Sequence, residues 1–241
     1  MNEPPFREEQ IAAANRELAT APPQTVVRWA VEIFGRKLTM GTAFGPEGCC
    51  LIHMLAAIDP GVHVFNLETG YQFPETLALR ERIKERYGVE VEYIRPELTV
   101  AEYEAEHGGP LYGLRPDQCC HDRKVLPLRR AAVGYDAWIS AIRRDQTPDR
   151  AAADLVQWDA KFGLVKVNPL LAWTKKDVWK FITDHDVPYN PLHDRGYPSI
   201  GCWPCTQPVG AGGDDRAGRW AGTRKKECGL HVVEVQGGGG I

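Results

Sequence analysis

The sequence predicts an α/β fold, a mainly parallel sheet with helices on both faces. Short apolar runs of strand length recur at residues 38–43, 62–67, 89–94, 137–142 and 164–167. Segments with helical spacing separate most of them, and strands that alternate with helices pair in parallel. Breakers such as Asp59-Pro60-Gly61, Gly88 and Asn168-Pro169 stand at the joins. With 241 residues, 43% hydrophobic and 25% charged, the chain fits one compact domain with an appended tail.

The elements follow in order. Ile11, Ala14 and Leu18, then Val26, Val27, Trp29 and Val31, give a helical opening across residues 7–34, broken at Ala21-Pro22-Pro23. The first strand runs into Phe44-Gly45-Pro46-Glu47-Gly48, and an apolar helix follows over residues 49–58. The second strand ends in the turn Glu68-Thr69-Gly70, ahead of an amphipathic helix over residues 74–87. Thr174-Lys175-Lys176-Asp177 reads as a capping box opening a helix with Val178, Trp179, Phe181 and Ile182. Parallel sheets bind ligands at the carboxyl ends of their strands, so residues 44–48 and 68–72 are the expected ligand loops. Beyond residue 206 glycine dominates, ending in Gly237–Gly240. Two parts are expected: residues 1–206 as the main domain and 207–241 as a mobile tail.

No apolar run is long enough to span a membrane. Residues 1–10 are polar and acidic rather than basic-then-apolar, so a cytoplasmic location is the expectation. A net charge of −3 argues against broad nucleic-acid binding.

Seven cysteines, at positions 49, 50, 119, 120, 202, 205 and 228, organise the chemistry. In a reducing compartment, cysteines serve as ligands, nucleophiles or core residues more often than as disulfides. Cys119-Cys120 with Cys202-x-x-Cys205 supplies four thiolates. An iron–sulfur cluster, a zinc ion, or a redox pair with core cysteines could use them. Adjacent side chains diverge, which suits the separate corner irons of a cluster better than one small ion. Cys228 lies in a polar tail with no core to fill, beside Lys225, Lys226 and His231. Nearby cations favour a thiolate, so Cys228 is the expected nucleophile. Cys49 and Cys50, inside an apolar helix, read as core.

Basic residues cluster around these positions: Arg115, Arg123, Lys124, Arg129 and Arg130; Arg143, Arg144 and Arg150; Arg216, Arg219, Arg224, Lys225 and Lys226. In a chain acidic overall, such local charge predicts a small anionic ligand, a phosphate or sulfate ester. The loop at residues 41–48 could turn backbone N–H groups toward that anion. It has neither the Walker lysine nor a G-x-G-x-x-G pattern.

Together, Phe44-Gly45-Pro46-Glu47-Gly48, Leu67-Glu68-Thr69-Gly70, Cys119-Cys120-x-x-Arg123-Lys124, Arg143-Arg144-Asp145-Gln146, Cys202-x-x-Cys205, Gly218-Arg219-Trp220 and Glu227-Cys228-Gly229-Leu230-His231 resemble the assimilatory adenylyl-sulfate reductases, relatives of the phosphoadenylyl-sulfate reductases. The resemblance covers residues 41–231. It implies a fold like that of the adenine-nucleotide α-hydrolases and a [4Fe-4S] cluster on Cys119, Cys120, Cys202 and Cys205. It implies adenosine 5′-phosphosulfate as substrate, since members using the 3′-phosphorylated nucleotide generally lack the four cysteines. The activity implied is reduction to sulfite and AMP through an S-sulfonate on Cys228, with thioredoxin as partner. Substrate contacts are implied for Phe44, Gly45, Leu67, Thr69, Gly70, Lys124, Arg143, Arg150, Arg216, Arg219 and His231. Family loops commonly carry serine before the Phe-Gly pair; this chain has Ala43, with Thr42 as the neighbouring hydroxyl. The other readings are a reductase of the 3′-phosphorylated nucleotide, an ATP-dependent adenylating enzyme on the same fold, and a four-cysteine zinc module binding nucleic acid. A homo-oligomer stays open.

Overall fold

The computed structural model describes residues 6–230 except 211, 213 and 226. His231 and the Gly237–Gly240 run, both singled out above, lie outside the described residues.

Six strands form one sheet in the order β3-β2-β1-β4-β6-β5. They are β1 (Leu38–Thr42), β2 (His63–Leu67), β3 (Val91–Ile94), β4 (Ala137–Ile139), β5 (Val156–Asp159) and β6 (Leu164–Val167). All pair in parallel except β5, which returns antiparallel along β6. The long helices are α1 (Glu8–Glu17), α2 (Pro23–Phe34), α3 (Pro46–Ile58), α4 (Pro74–Tyr87) and α5 (Val100–His107). Short turns of helix follow: α6 (Leu111–Leu114), α7 (Pro116–Cys120), α8 (Leu126–Ala131) and α9 (Pro148–Ala151). The helix α10 (Lys175–His185) follows the sheet. The expected mainly parallel α/β architecture is therefore present.

The two-residue period of the strands divides the core. Leu38, Met40, Val64, Ala137 and Ile139 face one side, with α2, α3 and α10. Phe65 and Trp138 face the other, with Leu128 from α8. Cys49 and Cys50 are fully buried in α3, as expected of core residues. Near-complete burial on both faces explains why the strands read as continuous apolar runs.

Several segments escaped the sequence reading, among them α5 and α9. Strand β5 is short and alternates Val156-Gln157-Trp158-Asp159, a weak signal. At this outer edge of the sheet, Asn15 of α1 takes the place of a further strand. Its side-chain amide donates to the Val156 carbonyl (2.7 Å) and accepts the Val156 N–H (3.0 Å). The helical stretch over residues 111–131 is broken by prolines and contains a π-helical turn at His121–Val125. The described tail residues carry no regular helix or strand, yet they pack onto the domain: Trp220 and Glu227 are buried.

Strand order reverses beside β1. The chain lays β2 and β3 on one side, then crosses to β4 and β6 on the other. Connections at the carboxyl ends of β1 and β4 therefore diverge and open a crevice. Among the described residues, no helix is long and apolar enough to cross a membrane.

The capping box of α10 is present: Thr174 Oγ1 accepts the Asp177 N–H (3.2 Å), and Asp177 accepts the Thr174 N–H (2.8 Å). Thr174→Ala should lower stability by about 1 kcal/mol, the usual cost of an N-cap, measured as a shift in urea midpoint at constant slope.

Candidate active site at the strand switch point

A cavity of about 370 Å³ fills the crevice. The loop after β1 forms one wall. Phe44 adopts a left-handed φ of 54°, costly for a side chain with a Cβ. It is held there because its ring is buried in the core and its N–H donates to Thr42 Oγ1 at 3.0 Å. The hydroxyl of Thr42, which also lines the cavity, thus holds the loop. The turn delivers Gly45 and the first turn of α3 to the cavity. Unpaired N–H groups and the helix dipole make such a terminus receptive to anions.

The second ligand loop is locked from below. Arg123, buried in the π-helical turn, donates Nε to the Thr69 carbonyl (2.6 Å) and lies over the rings of Tyr71 and Tyr103. Gly70 is required there: with φ +79°, a Cβ would stand 2.5 Å from Val100 Cγ2 and 3.1 Å from Arg123 Nη2. Residue Gln72 forms a β-bridge with Cys202, and the Trp203 N–H donates to the Tyr71 carbonyl at 2.8 Å. Thr69 Oγ1 and Cys202 Sγ lie 3.3 Å apart. These contacts bring the C-x-x-C segment onto the loop after β2.

Cys119, Cys120, Cys202 and Cys205 line one small pocket with Tyr71, Arg123 and Lys124. Burial, reinforced by neighbouring thiolates, pushes the Cys119 thiol up to about 12 and the Cys205 thiol up to about 11. Burial by itself disfavours a charged Lys124, but the thiolates of Cys202, Cys120 and Cys228 outweigh it and raise its pKa. Burial thus disfavours free thiolates at Cys119, Cys120 and Cys205, and four cysteines lining one pocket are a donor set of the kind a thiolate-binding metal centre uses. Among the described residues, no three His, Cys, Asp or Glu side chains form a site for a metal ion. The larger cavity, which Lys124 also lines, begins at Cys202.

Of the expected substrate contacts, Gly45, Leu67, Thr69, Lys124, Arg143, Arg150, Arg216 and Arg219 line the large cavity, as does Cys228. Phe44 and Gly70 do not; Phe44 shapes the first loop from the core, and Gly70 makes room for Arg123. The remaining surprise is how many cations are already paired. Arg143 pairs with Glu47 and, through Nε, with Asp145 at 2.8 Å. Arg150 holds Glu227 with Nε at 3.0 Å and Nη2 at 3.2 Å, and Arg216 reaches the same carboxylate at 3.3 Å. Lys175 pairs with Asp215 at 2.6 Å. Lys124 and Arg219, by contrast, make no ion pair with a carboxylate among the described residues. Arg219 lies flat on Gly201, where a Cβ would stand 2.2 Å from Nη2, and stacks on Trp220. Glu47 and Gln146 stood inside quoted motifs, and Glu227 beside the nucleophile, but spacing alone cannot say which arginine a carboxylate will meet.

The tail reaches the cavity through several ties. Lys225 pairs with Asp117, next to the paired cysteines, and Lys161 donates to the Gly229 carbonyl at 2.9 Å. Leu230 packs on the Phe65–Trp138 face of the sheet. Burial opposes ionisation of Glu227, yet Arg150 and Arg216 hold its carboxyl down at about 2, from an ordinary 4.5. A depressed carboxyl stabilises above its unfolded pKa and loses that contribution as pH falls through the folded value. The stability difference between the native chain and Glu227→Gln should therefore be complete near neutral pH. It should shrink between about pH 4.5 and about pH 2, followed by denaturant titration of metal-free protein.

Comparison with known proteins agrees with this geometry. Residues 37–208 match the phosphoadenosine phosphosulfate reductase domain. A Gloeobacter violaceus protein named phosphoadenosine 5′-phosphosulfate reductase is 48% identical, covering 93% of both chains. A Salinibacter ruber protein named adenosine 5′-phosphosulfate reductase is 44% identical, covering 95% of this chain and 91% of its own. A crystal structure of the Candida auris phosphoadenylyl-sulfate reductase in a phosphate complex superposes with a TM-score of 0.74 at 31% identity, covering 85% of this chain and 98% of that one. By sequence along most of its length and by fold, the chain belongs to the phosphoadenosine phosphosulfate reductase family.

Proposed function

We propose that this chain reduces adenosine 5′-phosphosulfate to sulfite and AMP in assimilatory sulfate reduction and cysteine biosynthesis, with thioredoxin as the reductant. The observation that carries the reading is the meeting of Cys228 with Lys124 and Arg219 in one cavity at the switch point. A thiol nucleophile and two cations that have no carboxylate partner among the described residues suit a phosphosulfate, which carries two negative charges.

The steps balance as follows. The Cys228 thiolate attacks the sulfate sulfur, an S–S bond forms, and the bond from sulfur to the bridging oxygen breaks. That oxygen leaves with its electron pair on AMP, and Cys228 carries a sulfonate. Three negative charges enter this step, two on the nucleotide and one on the thiolate. Three leave, two on AMP and one on the sulfonate. Lys124 and Arg219 offset repulsion between thiolate and ester and stabilise the leaving phosphate, an effect strongest where water is excluded. The first turn of α3 offers backbone N–H groups to the phosphate. A thioredoxin thiolate then attacks Cys228 Sγ and releases sulfite, and its second thiol resolves the mixed disulfide, so the dithiol supplies both electrons. In this reading the tail carries Cys228 between the cavity and the second thiol. The absence of helix or strand among the described residues 207–230 supports that movement. Free thiols at all seven cysteines suit the reducing cytoplasm.

A [4Fe-4S] cluster on Cys119, Cys120, Cys202 and Cys205 belongs to the same reading, supported by the four cysteines that line one pocket. When bound it supplies a charged group beside Lys124, and no step above passes electrons through it. Anaerobically prepared protein should contain about four irons per chain, and Cys120→Ser should lose them, by iron and sulfide analysis. Zinc in place of iron would remove the cluster from the reading.

Cys228→Ser should keep the iron and bind nucleotide but release no sulfite, because serine is a weak nucleophile near neutral pH. The native chain given adenosine 5′-phosphosulfate without thioredoxin should gain one sulfonate on the Cys228 peptide, read by mass spectrometry, and lose it to reduced thioredoxin. A label on any other cysteine overturns the assignment. The name of the Gloeobacter relative favours a second reading, the 3′-phosphorylated nucleotide. That substrate brings additional negative charge to a cavity whose remaining cations are paired with Glu47, Glu227 and Asp215. A higher kcat/KM on it would put the second reading first.

A further inference from the structure

A continuous run of polar contacts joins the loop after β1 to the proposed nucleophile. Glu47, in the first turn of α3, accepts from Arg143 and from Gln146 Nε2 at 3.2 Å. Gln146 Oε1 accepts the Arg143 backbone N–H at 3.0 Å and an N–H of Arg150. Arg150 then grips both oxygens of Glu227, and Oε1 of that carboxylate also accepts the Cys228 backbone N–H at 3.0 Å. Glu227 is 7% exposed and Arg150 8%. A charge so buried persists only when well paired, and the two-pronged grip of Arg150 with Arg216 behind it supplies that pairing.

The contact matters because it acts directly on the Cys228 backbone N–H. The described tail carries no helix or strand, so the backbone at the thiol is held by side chains. Gly229 is tied through Lys161, and Leu230 packs on the sheet; both follow Cys228. Before it, Lys225 pairs with Asp117, and Glu227, directly adjacent to Cys228, is clamped by Arg150 and Arg216. Arg150 and Arg216 therefore act on the nucleophile rather than on the ester, while Lys124 and Arg219 face the same cavity with no carboxylate partner among the described residues.

We infer that Glu227 is the positioning residue for Cys228. Its carboxylate, clamped by Arg150 and Arg216, fixes the backbone at the thiol and links that placement through Gln146 to Glu47 at the nucleotide loop. The inference rests on the reading of Cys228 as the nucleophile. The opposite role, a carboxylate that competes with the substrate for two arginines, predicts different behaviour on removal of the charge.

The test uses the full chain with its metal centre, adenosine 5′-phosphosulfate and no thioredoxin, comparing the native chain with Glu227→Ala, Glu227→Asp and Gln146→Ala. Three quantities are read: the single-turnover rate of Cys228 sulfonation, the nucleotide Kd and the iron content. Misplacing a reacting group by about an ångström costs about 10²-fold, so Glu227→Ala should slow sulfonation by about that factor. Its nucleotide Kd should stay within about twofold, as expected when an interaction serves the chemical step rather than binding. Iron content should be unchanged. Glu227→Asp, which keeps the charge, should recover part of the rate. Gln146→Ala, which leaves Glu227 and Cys228 in place, should slow it in the same direction. Native-rate sulfonation in Glu227→Ala overturns the inference, and so does tighter nucleotide binding with faster sulfonation, the signature of competition. If the native chain itself takes no sulfonate on Cys228, the proposed reaction falls and this inference with it.

Discussion

The parallel pairing of β1 with both β2 and β4 is the constraint on which the site depends. Parallel neighbours need crossover connections, so the chain leaves the sheet at the carboxyl end of β1, and its neighbours β2 and β4 lie on opposite sides. The opening between those departures is fixed by backbone geometry before any functional side chain is chosen. Gly41 shows how tightly it is built, since a Cβ there would stand 3.2 Å from the ring of Phe65 on β2. Everything that lines the cavity arrives on a connection out of this frame or on a segment docked against one.

Two docked segments complete it, and they arrive by different physics. The C-x-x-C segment arrives by backbone pairing, residue 72 with 202 and the Trp203 N–H with Tyr71. The tail arrives by charge: Lys225 on Asp117, and Glu227 between Arg150 and Arg216. Backbone pairing is indifferent to salt; of the tail's ties, the Lys225 pair with exposed Asp117 is open to screening, whereas the buried grip on Glu227 is screened far less. The C-x-x-C segment is thereby held independently of salt, while the tail combines one screened tie, at Asp117, with one buried tie, at Glu227.

Much of this was legible in the sequence, and the failures have physical causes. The strands read well because near-complete burial leaves little polar residue in them. Strand β5 was missed because an edge strand of four residues needs only partial apolar character. The helices between residues 111 and 131 were missed because Pro116, Pro127 and a π-helical turn break the period that sequence reading relies on. The cavity-lining cations were named from their clusters, but their partners were not. Arg150 and Glu227 lie 77 residues apart, and only the folded chain brings them within 3.0 Å. Phe44 was taken for a ligand residue because it sits in the loop motif; its backbone serves the loop and its ring the core. Glycine content made the tail look detached, yet Trp220 and Glu227 are buried.

The Asn15 side chain on the outer edge of β5 carries a consequence of another kind. A sheet edge presents a row of unsatisfied N–H and C=O groups that can recruit a strand from a second molecule and begin aggregation. At Val156 both groups are answered by one amide from the first helix. That helix buries Ala14 beside the same edge, so α1, the first helix among the described residues, also covers one open end of the sheet. A chain clipped ahead of α2 would keep the sheet and the cavity-lining residues, while leaving a templating surface that the intact molecule hides.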